Sequence, residues 1–146
     1  VLVSLLLVSV YPFSFALSEG GIISSRRDSL FIFPAWLFLS VLAYEFFADA
    51  ADARGDMQRY GGGYVVKNGV NRIEYMGRIV AGLSIPVAFI PYAAGMCHEI
   101  YLAGAVISTI PLSVACFRKK ADFFLAIHIY IVGIIIASVA DIVVMP

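Results

Sequence analysis

The residues best equipped for chemistry lie in the stretch 45–56, which reads E-F-F-A-D-A-A-D-A-R-G-D. Glu45, Asp49, Asp52 and Asp56 are four of the ten carboxylates in the chain, and they close a strongly apolar run. In a helix each residue turns by about 100°, so spacings of four, three and four put all four acids on one narrow stripe. Like charges at that spacing repel and weaken a helix. A divalent cation offsets the repulsion. Hard oxygen donors with no histidine or cysteine beside them favour Mg²⁺, which keeps several waters and bridges carboxylates to substrate phosphates. The bland alternative is a helix end emerging into water. Ionisable groups at membrane depth are nonetheless expensive and point to function by default.

The segment that follows, residues 53–72, is polar and contains Gly61, Gly62 and Gly63 in succession. Three glycines cannot continue a helix cheaply, and Lys67-Asn68-Gly69 reads as a turn, so this segment is expected to be a structured loop. It would set Arg59, Lys67 and Arg72, with Tyr60 and Tyr64, beside the acidic stripe. A diphosphate carrying Mg²⁺ uses both signs of charge at once. The competing reading is an ordinary basic loop on the cytoplasmic side of a membrane. No G-K-[ST] follows the glycines, so they are not a Walker fingerprint.

The elements that must position these residues are membrane helices. Hydrophobic residues make up 62% of the 146, charged residues 14%, and the mean hydropathy is +0.94. Soluble domains are nearer half apolar and a quarter charged. The chain therefore reads as a multi-pass integral membrane protein, an all-α transmembrane helix bundle forming one domain over residues 1–146. The net charge of zero gives no hint of nucleic acid.

With about 20 apolar residues per crossing, the expected helices are residues 1–17, 30–52, 72–96, 100–117 and 123–145. The first has no basic n-region and no A-x-A site, so it is not a signal peptide. It reads as beginning inside a membrane helix, with polypeptide expected before Val1. Residues 18–28 form a polar turn after it. Gly82, Gly95, Gly104, Ala105 and Gly133 are expected at helix contacts, where small residues let backbones approach. Pro12, Pro86 and Pro91 are tolerated in membrane helices when neighbours satisfy the freed carbonyls.

Eight of the ten basic residues fall in the segments after the second and fourth crossings, against Arg26 and Arg27 on the other face. The positive-inside rule then puts the acidic stripe and its basic loop in the cytoplasm and the C-terminus outside. Cys97 and Cys116 lack metal spacing and read as packing residues. His98, in a short outer link, and His128, in the last helix, read as structural or interfacial. Asp141 is expected solvated at the outer end of its helix.

An apolar helix ending in E-x-x-x-D-x-x-D-x-x-G-D resembles the second aspartate-rich motif of the UbiA superfamily of intramembrane prenyltransferases. In that family the motif reads K-D-x-x-D-x-x-G-D, and a T-x-P-V-x-x-G segment follows. Asp49, Asp52, Gly55 and Asp56 fit the first, and Val65-Val66-Lys67-Asn68-Gly69 fits the second. Ala48 stands where a lysine is common, and Gly63-Tyr64-Val65 replaces the threonine and proline. The three aspartates also satisfy D-x-x-D-x-x-x-D, the family's first motif. Gly55 before the last aspartate, and the absence of the preceding Asn and the following Arg-Pro, favour the second.

The resemblance implies the fifth to ninth helices of a nine-helix bundle, with the first four helices and the partner motif supplied by a missing N-terminal half or by another chain. It implies an enzyme that moves a polyprenyl group from its diphosphate to a small aromatic or phosphorylated acceptor, with Mg²⁺ as cofactor. Asp49, Asp52 and Asp56 would be the metal and catalytic residues. Lys67, Arg59 and Tyr64 would face the diphosphate, with Glu45 deeper, as a metal-shell or acceptor-side group. Two readings compete. One is a non-catalytic membrane subunit whose acids bind a structural ion or a partner's basic segment. The other is an ion or proton pathway through Glu45 and Asp49, which gives no role to the basic loop.

Overall fold

A computed structural model describes residues 29–60, 64–118 and 122–144. The described residues are all helical apart from short links, with no strand among them. Helix α1 spans Ser29–Tyr60, α2 Tyr64–Ala93, α3 Glu99–Phe117 and α4 Phe123–Val144. Each contains an apolar stretch long enough to cross a bilayer: Ile32–Gly55, Gly69–Ala93, Glu99–Phe117 and Phe123–Val144. The shortest, of 19 residues, is about 28 Å long at 1.5 Å per residue, close to the thickness of a hydrocarbon core. Four of the five expected crossings are thus helices of membrane length. The expected first crossing and the turn at residues 18–28 lie outside the described residues.

The polar segment 53–72 differs from expectation. The chain is helical up to Tyr60 and again from Tyr64, so Lys67-Asn68-Gly69 belongs to the first turns of α2 and is not a turn. Residues 53–60 contain one glycine and no proline, and Ala, Arg, Met and Gln are good helix formers. Polarity marks where a membrane helix leaves the hydrocarbon, not where it ends.

Helix α2 stops where Gly95 takes φ of +69°, a left-handed conformation that suits glycine. Helix α3 then begins at Glu99 without a side-chain cap of its own at His98. The cap comes from α4. The Asp141 carboxylate accepts the backbone N–H of His98 at 3.0 and 3.1 Å and that of Tyr101 at 3.2 Å. Asp141 is 4% exposed, so the expectation of a solvated residue is corrected: it is buried because it satisfies orphan N–H groups of a neighbouring helix. At the start of α4, Asp122 caps its own helix by accepting the N–H of Leu125 at 3.1 Å.

The helices pair most closely as α1 with α2 and α3 with α4, with α2 against α3 and α1 against α4 joining the two hairpins. The core combines aromatic and small residues: Trp36, Ala43 and Phe47 from α1, Ala81 and Ala88 from α2, Tyr101 and Ala105 from α3, and Tyr130 and Ile134 from α4. Trp36 Nε1 donates to the Tyr130 hydroxyl at 2.7 Å, which donates to the Ser84 carbonyl at 2.9 Å. Tyr101 donates to the Ala88 carbonyl at 2.5 Å. Both hydroxyls therefore engage the stretch of α2 that contains Pro86 and Pro91. Between α3 and α4 the contact is closest at Gly104 and Gly133, where an added Cβ would collide with Ala137 and Ser108 respectively. Gly82, by contrast, has open space around it.

Candidate acidic site at the polar end of helix α1

The acidic stripe is set by the packing of α1. Ala43, Phe47 and Ala50 are buried against the other helices, and at about 100° per residue they lie on the side of α1 opposite Glu45, Asp49 and Asp52. The four-helix packing therefore leaves the stripe uncovered. Asp49 and Asp52 are exposed and Glu45 is half-buried. Asp56 occupies the next register position of the stripe, four residues on in the same helix.

The stripe runs along a helix, and this limits what one ion can touch. From Glu45 to Asp52 the rise is about 10 Å, and from Asp49 to Asp52 about 4.5 Å. Among the described residues no group of three or more His, Cys, Asp or Glu converges on one point. Mg²⁺ asks for less, being bound by one or two carboxylates together with waters and substrate phosphates. Asp49 and Asp52 meet that demand in donor chemistry and exposure.

The basic residues expected beside the stripe divide. Helix α2 begins at Tyr64, which brings Lys67 into its first turns, and Arg59 lies in the last turn of α1. The side chains of Asp56, Arg59, Tyr64 and Lys67 lie outside the described residues. Arg54 forms an ion pair with Glu74 that ties α1 to α2. Arg78 donates from Nη1 to the carbonyls of Ala115 and, at 3.2 Å, Cys116, at the C-terminus of α3. Its guanidinium also lies 5.7 Å from the centre of the Phe47 ring, within cation–π range. Glu74 was invisible as a partner in the sequence because it lies 20 residues from Arg54.

Cys97 and Cys116 are unbridged, half-buried and packed on the core. His98 lies 3.3 Å from Asp141 through Nδ1. His128 donates from Nδ1 to the Phe124 carbonyl at 2.7 Å, and its ring stands edge-on to Tyr44 at 5.3 Å. In the comparisons with known proteins, no family model, no curated protein and no solved structure matches this chain, so the likeness to the intramembrane prenyltransferases rests on the residues at 45–69 alone.

Proposed function

We propose that this chain carries one half of the site of a Mg²⁺-dependent intramembrane prenyltransferase. One observation supports it above the rest: exposed Asp49 and Asp52 sit on the face of a membrane-length helix that the other described helices leave uncovered. Carboxylates in that setting are costly unless something positive is held there.

Asp49 and Asp52 would hold the metal, with Asp56 continuing the stripe. Mg²⁺ bound there would offset the charge that builds on the departing diphosphate. In this reading Lys67 and Arg59 would contact the phosphate oxygens, Tyr64 would donate a hydrogen bond, and Glu45, a turn deeper, would lie towards the acceptor. The prenyl carbon–oxygen bond breaks, the acceptor forms a bond to that carbon, and diphosphate and the acceptor's proton leave.

The test uses the intact protein in lipid nanodiscs with a polyprenyl diphosphate and a panel of aromatic and phosphorylated acceptors. Asp49→Asn and Asp52→Asn should each lower Mg²⁺-dependent transfer at least about a hundredfold, the scale of losing an electrostatic stabiliser, with helicity unchanged. Turnover equal to the parent in both variants overturns the assignment. Absence of transfer by the parent with every acceptor, together with Mg²⁺ binding lost in the variants, would favour the non-catalytic ion-binding subunit.

A further inference from the structure

Helix α1 has a covered face that no described helix accounts for. Its core side carries Trp36, Ser40, Ala43 and Phe47, all buried. At about 100° per residue, Pro34, Phe38, Val41, Leu42 and Glu45 point the other way, and Phe38, Val41 and Leu42 do not pack on the shared core. Yet Pro34 is buried and the other four are half-buried. Helix faces open to lipid look different: Leu83 of α2 is 55% exposed, Ile107 of α3 68% and Ile136 of α4 61%. No Leu, Ile, Val or Phe described on α1 is exposed. Apart from Ala35, exposure on α1 begins only at Asp49.

A single chain sets these exposures, so the cover belongs to the chain itself. Outside the described residues lie 1–28, 61–63, 119–121 and 145–146. From Pro34 to Glu45 the face is about 17 Å long. A stretch of three residues reaches about 10 Å even when extended; 61–63 are glycines and 119–121 include Lys119 and Lys120. Residues 1–17 carry no charge, and as a helix they measure about 26 Å, enough to run the length of the face. The link that follows, 18–28, contains Glu19, Arg26, Arg27 and Asp28, which are expensive in hydrocarbon. It therefore stays at the polar boundary where α1 begins, and the two crossings it joins run antiparallel.

We propose that the crossing expected at residues 1–17 packs antiparallel along α1, over Pro34, Phe38, Val41 and Leu42. Glu45 lies at the inner edge of this cover, and Asp49 and Asp52 stay open beyond it. Any ligand of the acidic stripe is thereby confined to the turns past Glu45. The packing stands apart from the transferase reading and needs no metal at the stripe.

Cysteine cross-linking in membranes tests the packing, with Cys97 and Cys116 first replaced by serine. A disulfide needs Cα atoms within about 7 Å, so only facing positions join. Single cysteines at each of positions 2 to 14 are paired with Leu42→Cys or with Phe38→Cys and oxidised with copper phenanthroline. Each partner should cross-link most of the protein within one chain, at positions about three or four apart. Those joined to Leu42→Cys should precede those joined to Phe38→Cys by about four residues. Ile107→Cys, open on α3, should join none of them. A variant that fails to reach the membrane removes one position from the scan and leaves the pattern readable. Cross-links only between copies would assign the cover to a second chain, the reverse order would make the crossings parallel, and no cross-link at any position would leave the face without this cover; each of these overturns the proposal.

Discussion

The first N–H groups of α3 have no carbonyl partner within their own helix, and Asp141 accepts two of them, at His98 and Tyr101. Removing that carboxylate leaves buried donors unmet. Asp141→Ala should therefore destabilise the protein by about 2 kcal/mol, and Asp141→Asn, which still caps, by about half as much. Thermal unfolding in detergent followed by circular dichroism checks both. Equal stability of the alanine variant and the parent would refute the capping role. At this scale a residue's partners decide how legible it is. The acids at 45, 49 and 52 share a stripe because of helical spacing, which is local and readable in the sequence. The buried place of Asp141 is not legible in the same way, because its partners lie 40 and 43 residues away, beyond any local pattern.

Among the helices, the hydrogen bonds of Tyr130 join three elements: it accepts from Trp36 of α1 and donates to the Ser84 carbonyl of α2 from its own place in α4. Tyr130→Phe keeps the ring and removes the acceptor, leaving the indole N–H of Trp36 buried and unmet, at a cost of about 1–3 kcal/mol. Trp36 is the one tryptophan of the chain, so its fluorescence reports the change directly. An unchanged emission maximum together with unchanged thermal stability would sink this role. The apolar spans of α1 to α4 were readable because length and hydropathy alone define a crossing. The helical character of residues 53–60 and 64–72 was hidden. Polar residues and three glycines read locally as a loop, whereas the ion pair of Arg54 with Glu74 holds α1 and α2 together near the adjoining ends of their apolar spans.

For the molecule as a whole, contacts between helix ends fix which residues share a side. Arg54 with Glu74, and Arg78 with the Ala115 and Cys116 carbonyls, gather the end of α1, the start of α2 and the end of α3. Asp141 with His98 puts the end of α4 beside the start of α3, one membrane-length helix away. Arg54, Arg72, Arg78 and Arg118 all belong to the first end, and the sequence adds Arg59, Lys67, Lys119 and Lys120 in neighbouring positions. The positive-inside rule makes the cytoplasm the expected side for that end. With Cys97 and Cys116 replaced by serine, single cysteines at exposed Asp52, Asp122 and Glu99 test this with a membrane-impermeant maleimide. Asp52→Cys and Asp122→Cys should label only after the cells are opened, and Glu99→Cys in intact cells. Labelling of Asp52→Cys and Asp122→Cys from opposite sides would break the arrangement of the helices. Labelling of both in intact cells would retain the arrangement, reverse its orientation, and place any diphosphate site at Asp49 and Asp52 outside the cytoplasm.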